Sequence, residues 1–314
     1  MSADGYRALR ESAAWLDLSE RGKIQLTGED RARLLHAMTT NHIQQLTPGT
    51  GCYAYFLSAQ GRILADVNVL CWPEALLLDT EPETREKIFQ HLDKFIIADD
   101  VVLEDLTPVL STIAIEGPES AEVLRKLGAP VPASEYASEA WGNRWVARLS
   151  FTGSTGFFVL LPAADKAAFT QELEAGGTIA ANPEDAETVR LEHGKPRYGQ
   201  DLTERFLAQE ANLPHAVHFS KGCYLGQEIV ERVRSRGQVH RLLLPIQIEG
   251  SAPPPAGTKA EGTLAEITSA AYSPALGKVA ALAYVRGDKT KPGSELSFEG
   301  RNATVTGYDV AGRS

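Results

Sequence analysis

The sequence predicts an α+β protein of two or three domains, of which the last is small and built only of strands. The chain has 314 residues, and a domain usually takes about 100–200. Strand-like and helix-like segments alternate through most of it without the regular period of a parallel βα fold. Short strand-like segments with glycine turns then flank Pro253-Pro254-Pro255, which indicates the all-β domain.

In the first third of the chain, alternating apolar segments predict strands, and polar residues predict two helix starts. Thr27 with Asp30, and Thr80 with Glu83, have the spacing of capping boxes. Gly61 lies in the turn between two apolar segments, which predicts a hairpin. The predicted strands here are residues 23–26, 53–57, 63–70 and 76–79.

The same reasoning extends through the middle of the chain to its C-terminal end. Pro118 and Pro183 stand at the first turn of predicted helices, and Asn182 is positioned to cap the second of them. The predicted strands are residues 112–115, 145–151, 156–161, 242–248, 277–285, 295–298 and 303–310. The last four of these segments form the terminal β domain.

The charge balance argues against a polyanionic partner. The 31 Lys and Arg residues are outnumbered by 41 Asp and Glu, and the net charge of −10 repels nucleic acid and anionic membranes. Residues 221–241 are the exception, because five basic residues there, including Arg234 and Arg236, outnumber two glutamates. This basic segment predicts either a local site for a small anionic ligand or a solvated helix face with paired arginines.

Localisation is predicted from what the sequence lacks. No apolar stretch approaches the roughly 18 residues that span a membrane, and the first residues have neither the basic nor the apolar region of a signal peptide. Cys52, Cys71 and Cys223 are too few and too dispersed for a disulfide framework. We therefore expect a cytoplasmic protein without a membrane segment.

The segment around Cys223 is the most informative for chemistry. Gly222 and Gly226 flank the cysteine and permit a tight backbone just before a predicted helix. A thiol in that place would sense the helix dipole and the ammonium of Lys221, both of which favour the thiolate. The alternative is a buried cysteine that acts as a small apolar side chain, as we expect for Cys52 and Cys71.

Metal binding has little support in the sequence. His215 and His218 precede Cys223, but their spacing matches no zinc pattern and no fourth ligand is evident. We therefore expect no metal site.

A second polar region lies where a predicted helix meets a Gly/Pro loop, at residues 190–201. Glu192 and Tyr198 fall close to a turn that could approach a ligand, and Glu210 follows shortly after. A solvated position is the alternative for Glu192. No Gly-rich nucleotide loop, nucleophile elbow or zinc-protease pattern is found, which disfavours those enzyme classes.

The segment Lys221-Gly222-Cys223-Tyr224-Leu225-Gly226-Gln227-Glu228 resembles the signature of the folate-binding YgfZ proteins. These are relatives of the glycine-cleavage T-protein, an aminomethyltransferase. Residues 61–66 resemble the hairpin that carries the catalytic aspartate of the T-protein, here Asp66, although Ala65 replaces the second aspartate of that pair. Residues 190–199 and Glu210 resemble its folate-binding stretch.

The resemblance implies a three-domain ring. Residues 1–45 and 108–195 would form a first, discontinuous α+β domain. Residues 46–107 and 196–241 would form a second α+β domain, and residues 242–314 a C-terminal antiparallel β-barrel.

The resemblance also implies a ligand, tetrahydrofolate or a one-carbon-substituted folate, in the central cavity. Glu192 or Glu210 would accept the adjacent N–H donors of the pterin edge as a bidentate pair. Tyr198 would supply packing and a hydroxyl group. Arg234 and Arg236 belong to the basic segment that would meet the glutamate tail of the folate.

The first functional hypothesis is a tetrahydrofolate-binding factor that assists the assembly or repair of iron–sulfur proteins, with an effect on tRNA thiomethylation. Its reactive residues would be Cys223, Lys221 and Asp66, and its partners iron–sulfur enzymes or assembly proteins. The alternatives are a folate-dependent aminomethyltransferase of the T-protein type and a non-catalytic folate sensor or scaffold. No stable nucleic-acid partner and no membrane partner are expected.

Overall fold

Backbone pairing groups the strands into three sheets in the computed structural model, which describes residues 3–237 and 239–307. The strands are β1 Ala14–Asp17, β2 Gly22–Thr27, β3 Gly51–Leu57, β4 Ile63–Cys71, β5 Leu76–Thr80, β6 Val102–Asp105, β7 Leu110–Glu116, β8 Ser138–Trp141, β9 Arg144–Ala147, β10 Gly156–Pro162, β11 Ile179–Ala180, β12 Arg241–Ile248, β13 Ala265–Ser273, β14 Lys278–Arg286, β15 Glu295–Phe298 and β16 Arg301–Val305. The α-helices are α1 Ala3–Glu11, α2 Arg31–Met38, α3 Arg85–Asp93, α4 Ser120–Lys126, α5 Lys166–Ala175, α6 Pro183–Glu192 and α7 Gln227–Arg236. None of the helices within the described residues is both long and apolar enough to cross a membrane.

The first sheet has the order β11-β1-β7-β10-β9-β8, and its pairs are antiparallel except β1 with β11. The second sheet, β3-β4-β5-β2-β6, and the third, β13-β14-β12-β16-β15, are antiparallel throughout. The α+β class with a C-terminal antiparallel domain is therefore confirmed.

The sheet to which each strand belongs differs from the expected domain limits at one place. The limit at residue 45 assigns β2 to the first unit, whereas β2 pairs with β5 and β6 in the second sheet. The chain changes sheet between β1 and β2. Buried residues between 198 and 230 pack on Tyr55, Leu57 and Ile63 of the second sheet and also on residues of the third sheet.

Helix capping shows which local predictions hold. Asn182 caps α6 in a reciprocal box with Asp185, and Pro183 occupies the first turn, as predicted. The predicted box at Thr27 and Asp30 is wrong, because Asp30 makes no capping bond and accepts from the Asp100 backbone N–H instead. The box at Thr80 is also wrong, because its hydroxyl donates to the backbone oxygen of Asp66.

A buried ion pair joins the first unit to the third sheet. Arg190 of α6 donates to Asp201 at 2.8 Å, and both side chains are excluded from solvent. The other oxygen of Asp201 accepts from Thr268 and Ser269 of β13. Such a pair orients the barrel, since each charge depends on the other for solvation.

We expect Arg190→Met to lower the free energy of unfolding by about 3–5 kcal/mol, because it leaves the Asp201 carboxylate buried without its counter-ion. Urea denaturation followed by circular dichroism measures the change. Arg125→Met, which alters an exposed arginine of α4, is the control and should cost little. A loss no larger than the control's would show that Asp201 is stabilised by its hydroxyl donors alone.

Candidate functional site

A cavity opens between the first and second sheets. Its volume is about 280 Å³, and a recess of about 40 Å³ adjoins it beside the second sheet. The side chains that line both are Tyr53, Asn68, Ser150, Lys195 and Pro196.

Side-chain alternation explains why the second sheet presents polar groups to this recess. From Ala65 onward, the odd-numbered residues of β4 are apolar and pack in the core beneath α2 and α3. Asp66 and Asn68 therefore project from the opposite face. The register places Tyr53 of β3 and Asp79 of β5 on either side of Asn68. A row of polar side chains thus faces the cavity.

Asp66 is the acid at the centre of this row. Its Oδ2 accepts a hydrogen bond of 2.8 Å from the Tyr53 hydroxyl. Burial and, to a smaller extent, the Glu81 carboxylate raise the pKa of Asp66 to about 6, although Tyr53 and Arg21 oppose the rise. A carboxyl group with a pKa near neutrality can both accept and return a proton.

Two arginines neutralise the acids behind Asp66. Arg21 donates to both oxygens of Asp79, at 2.9 and 2.8 Å, and also contacts Glu81. Arg197 donates to Glu81 through two nitrogens, at 3.0 and 2.9 Å. Among the described residues, Asp66 has no guanidinium or ammonium partner, so its charge is the one left uncompensated.

A buried carboxylate shapes the opposite wall of the cavity. Glu116 accepts from the Phe151 N–H at 2.6 Å and from the hydroxyls of Ser150 and Thr152 at 2.8 and 2.6 Å. These bonds hold the loop before β10 against β7. A Cβ on Gly156 would lie 2.6 Å from the Glu116 carboxylate, so only glycine fits there.

The wider part of the cavity carries charge of both signs. Arg148 and Lys195 are the basic residues of its wall, and Glu135 is the acidic one. His215 lies in the same wall, with its ring 5.5 Å from that of Tyr53. This composition suits a ligand with a polar body and an anionic extension.

Glu192 lies elsewhere. It ends α6 and accepts hydrogen bonds from Tyr6, Arg10 and Ser273, which leaves its side chain 4% exposed. These contacts join α1, α6 and the third sheet. Because its acceptors are occupied and it does not line the cavity, we remove Glu192 from the proposed ligand-binding set.

Glu210 and Tyr198 also serve the packing of the protein. Glu210 accepts from the Leu207 N–H at 2.9 Å and from Arg241 at 2.8 Å, where β12 begins. Tyr198 is buried in the core, and its hydroxyl donates weakly to the Ile63 carbonyl at 3.4 Å. Neither side chain lines the cavity or its recess.

The structure places Cys223 on the surface, in the loop before α7. The expected ammonium neighbour points away, because Lys221 is buried and donates to the backbone oxygens of His36 and Thr39 at the end of α2. Burial lowers the pKa of Lys221 to about 7. The thiol is accessible, but the pairing with Lys221 that we expected is not formed.

The basic segment is a surface helix in the structure. Arg234 lies 3.5 Å from Glu231, with its guanidinium 5.1 Å from the ring centre of Phe219. The side chain of Arg236 lies outside the described part of the structure. The expectation that these arginines meet the folate tail stays untested, and Arg234 does not line the cavity.

Three histidines cluster near the Cys223 loop. The ring of His42 lies 4.6 Å from that of His36 and 5.2 Å from that of His218. Burial and the nearby Lys221 lower the pKa of His36 to about 4. Within residues 3–237 and 239–307, no group of three potential ligands is arranged to hold a metal ion.

The sequence-based reasoning missed Tyr53, Arg21, Glu81 and Arg197. The signal for Tyr53 was present, because alternation in the 53–57 and 63–70 hairpin puts Tyr53, Asp66 and Asn68 on one face. The arginines gave no comparable signal, since their partners are distant in sequence.

We expect Asp66→Asn to stabilise the protein by about 1–3 kcal/mol above pH 6. The folded pKa of Asp66 is about 6, above the ordinary 3.8, so its contribution to stability is full below pH 4 and is lost as the pH rises through 6. Urea unfolding between pH 4 and 8 measures the difference. Asp93→Asn, an exposed change in α3, should show no such gain; an equal gain in both would refute the assignment.

We expect one of the three cysteines to react rapidly with Ellman's reagent in the folded protein, and that one to be Cys223. Cys71 is buried, and burial raises the pKa of Cys52 to about 12. Cys223→Ser should remove the rapid phase, whereas Cys52→Ser should keep it. Rapid reaction of the Cys223→Ser variant would show that the loop is not the accessible site.

Comparison with known proteins identifies the family. Residues 1–221 match the GCVT N-terminal domain, and residues 246–308 match the glycine cleavage T-protein C-terminal barrel domain. An aminomethyltransferase of Nitrosomonas eutropha is 31% identical over 90% of this chain and 81% of its own length. One of Streptomyces avermitilis is 30% identical over 93% of this chain and 82% of its length.

Two further comparisons differ in the share of each chain that they cover. A chloroplastic protein of Arabidopsis thaliana described as a transferase is 28% identical over 76% of this chain, which spans 57% of that protein's length. The crystal structure of the aminomethyltransferase T of Bartonella henselae has a TM-score of 0.89 at 20% identity and covers 96% of this chain and 87% of its own, which shows the shared fold. Aminomethyltransferases of this family use tetrahydrofolate. The narrower YgfZ assignment stays a prediction, but the chain belongs to the glycine cleavage T-protein family.

Proposed function

We propose that this protein binds tetrahydrofolate, or a one-carbon-substituted form, in the cavity and takes part in one-carbon transfer of the aminomethyltransferase type. The observation that carries the proposal is Asp66, an uncompensated carboxyl group beside the cavity with a pKa of about 6. The full-length relatives named aminomethyltransferase support the reaction class.

The donor set of the cavity fits such a ligand. The recess offers the Asp66 carboxyl group, the Tyr53 hydroxyl and the Asn68 amide, which can pair with the ring nitrogens of a pterin. Arg148 and Lys195 in the wider part can attract the carboxylates of a glutamate tail. When bound, tetrahydrofolate supplies the two nitrogens that carry a one-carbon unit.

Each residue of the recess has a part in this proposal. Asp66 accepts a proton from the amine that reacts or returns one to the group that leaves, since its pKa lies close to neutral pH. Tyr53 donates to Oδ2 of Asp66 and so fixes the orientation of the carboxyl group. The loop held by Glu116 closes the recess on the side opposite Asp66 and limits the entry of water.

Calorimetry with tetrahydrofolate under anaerobic conditions tests the binding site. We expect Asp66→Asn and Tyr53→Phe each to weaken binding by about tenfold or more, the cost of one or two lost hydrogen bonds. Asp93→Asn should bind as the wild type does. Wild-type binding by Asp66→Asn, or no binding by the wild type, would contradict the proposal.

The reaction class is tested separately. The wild type should form methylene-tetrahydrofolate from an aminomethylated lipoyl carrier, and Asp66→Ala should lose this turnover by a factor of about 100 or more, the usual contribution of a positioned acid or base. Asp66→Asn, assayed in parallel, should lose nearly as much although it keeps the shape of the side chain. Absence of turnover with every carrier would eliminate the transferase.

A second candidate is the YgfZ-like factor for iron–sulfur proteins, and the exposed thiol of Cys223 favours it. The neighbouring Lys221 and Tyr224 are buried, whereas the sulfur is exposed, so a partner protein could reach it directly. In this role the cavity still binds folate. The partner would be an iron–sulfur enzyme or an assembly protein.

Complementation of a strain depleted of the corresponding factor tests this second role. We expect Cys223→Ala to keep tetrahydrofolate affinity but to abolish the rescue of iron–sulfur enzyme activity. Cys71→Ala, a buried cysteine change, serves as the control and should still rescue. Full rescue by Cys223→Ala would reject this role. Loss of neither function in Cys223→Ala and Asp66→Ala, with folate still bound, would assign a folate sensor.

A further inference from the structure

We infer that Glu81 and Arg197 are positioning residues that together set the charge of Asp66, acting on it through space from behind the recess. The inference deepens the proposed function, on which it rests for its purpose. It concerns the free protein, so it can be tested without folate.

The geometry of the sheet places the groups in one row. Asn68 of β4 pairs with Asp79 of β5, so the next residue of the same face of each strand brings Asp66 opposite Glu81. Thr80 pairs with Gly22, which brings Arg21 opposite Glu81 in turn. Asp66, Glu81 and Arg21 are therefore consecutive cross-strand neighbours.

The distribution of ion pairs determines which of the three carboxylates, Asp66, Asp79 or Glu81, lacks a cationic partner. Arg21 binds both Asp79 and Glu81, and Arg197 binds Glu81, so these two arginines neutralise the carboxylates on either side and leave Asp66 unpaired. Glu81 is 5% exposed and is held on both sides, by Arg21 and by Arg197. Asp66 is left next to a fixed negative charge, and the Tyr53 phenol is its only side-chain donor among the residues that the structure describes.

Arg197 is the more exposed of the two arginines that bind Glu81. Its side chain is 29% exposed, against 10% for Arg21, and it reaches Glu81 from the loop after α6. Its guanidinium also lies 5.4 Å from the ring centre of Phe151, in the loop that closes the recess. Without Arg197, the negative charge of Glu81 is paired with Arg21 alone. Without the charge of Glu81, the positive charges of Arg21 and Arg197 outweigh the negative charge around them.

Other charged and titratable groups surround the recess and must be held constant in the test. Those that face it or act on it from the elements packed around Asp66 are Tyr53, Asp79, Arg21, Arg190, Lys195 and Tyr198. None of them is altered in the variants below.

The test is the pH titration of the Asp66 carboxyl carbon by NMR in ligand-free protein, with the signal identified by its loss in Asp66→Asn. The wild-type midpoint should lie near pH 6. Glu81→Gln should move it down toward the ordinary value of about 4, and Arg197→Gln should move it above the wild-type midpoint. Glu74→Gln, an exposed change of the same charge in the turn between β4 and β5, should leave it in place.

Opposite shifts in Glu81→Gln and Arg197→Gln support the inference, because a merely structural disturbance would not reverse sign. Equal midpoints in all variants, or shifts of the same sign, overturn it. If Glu81→Gln does not fold, an unshifted midpoint in Arg197→Gln is sufficient to overturn it, and an upward shift to support it. Shifted midpoints without folate binding would leave the inference standing and reject the proposed function, while folate binding with unshifted midpoints would do the reverse.

Discussion

The constraint on which the site depends is the two-residue period of the second sheet. One face of β4 must be apolar to bury α2 and α3, and it is, through Ala65, Val67 and Val69. The other face then carries Asp66 and Asn68 toward the first unit. The first unit covers Asp66 and Asn68 with the polar loop before β10 and not with an apolar surface. A cavity lined by hydrogen-bonding groups therefore remains between the first and second sheets. The uncompensated acid is a consequence of this packing and costs stability, as functional groups commonly do.

Local patterns allowed most of the elements to be predicted, and long-range contacts account for the failures. The 53–70 hairpin and the Asn182 cap rely on neighbours in sequence, so they could be read directly. Strand β13 was missed because its small residues, in Ala265–Ser273, show little apolar contrast. Thr80 had the spacing of a helix cap, but its hydroxyl is recruited by the adjacent strand β4, a partner that only the folded sheet supplies.

Some residues of the candidate site could likewise be predicted from local patterns, whereas others depend on long-range contacts. Asp66 was identified by its resemblance to the T-protein hairpin, and alternation is enough to place it on a polar face. Glu192 was expected at the ligand on the same kind of resemblance, yet its contacts with Tyr6, Arg10 and Ser273 come from segments far away in the chain. No local pattern could reveal that these donors occupy the carboxylate. Which of these two acids, Asp66 or Glu192, stays available to a ligand is therefore a property of the assembled fold.

Several residues of the cysteine motif, residues 221–228, are required by the fold itself. Gly226 has a φ of 86°, and a Cβ there would lie 2.6 Å from the Ser58 oxygen. Lys221 caps the end of α2, and Tyr224 is buried beneath it with its ring 4.8 Å from the lysine nitrogen. These residues hold the loop in place, whereas Cys223 is exposed. The same α2 terminus leads into Asn41, whose amide donates to the backbone oxygen of Tyr53 at 2.8 Å. One short segment thus positions both the thiol loop and the cavity wall.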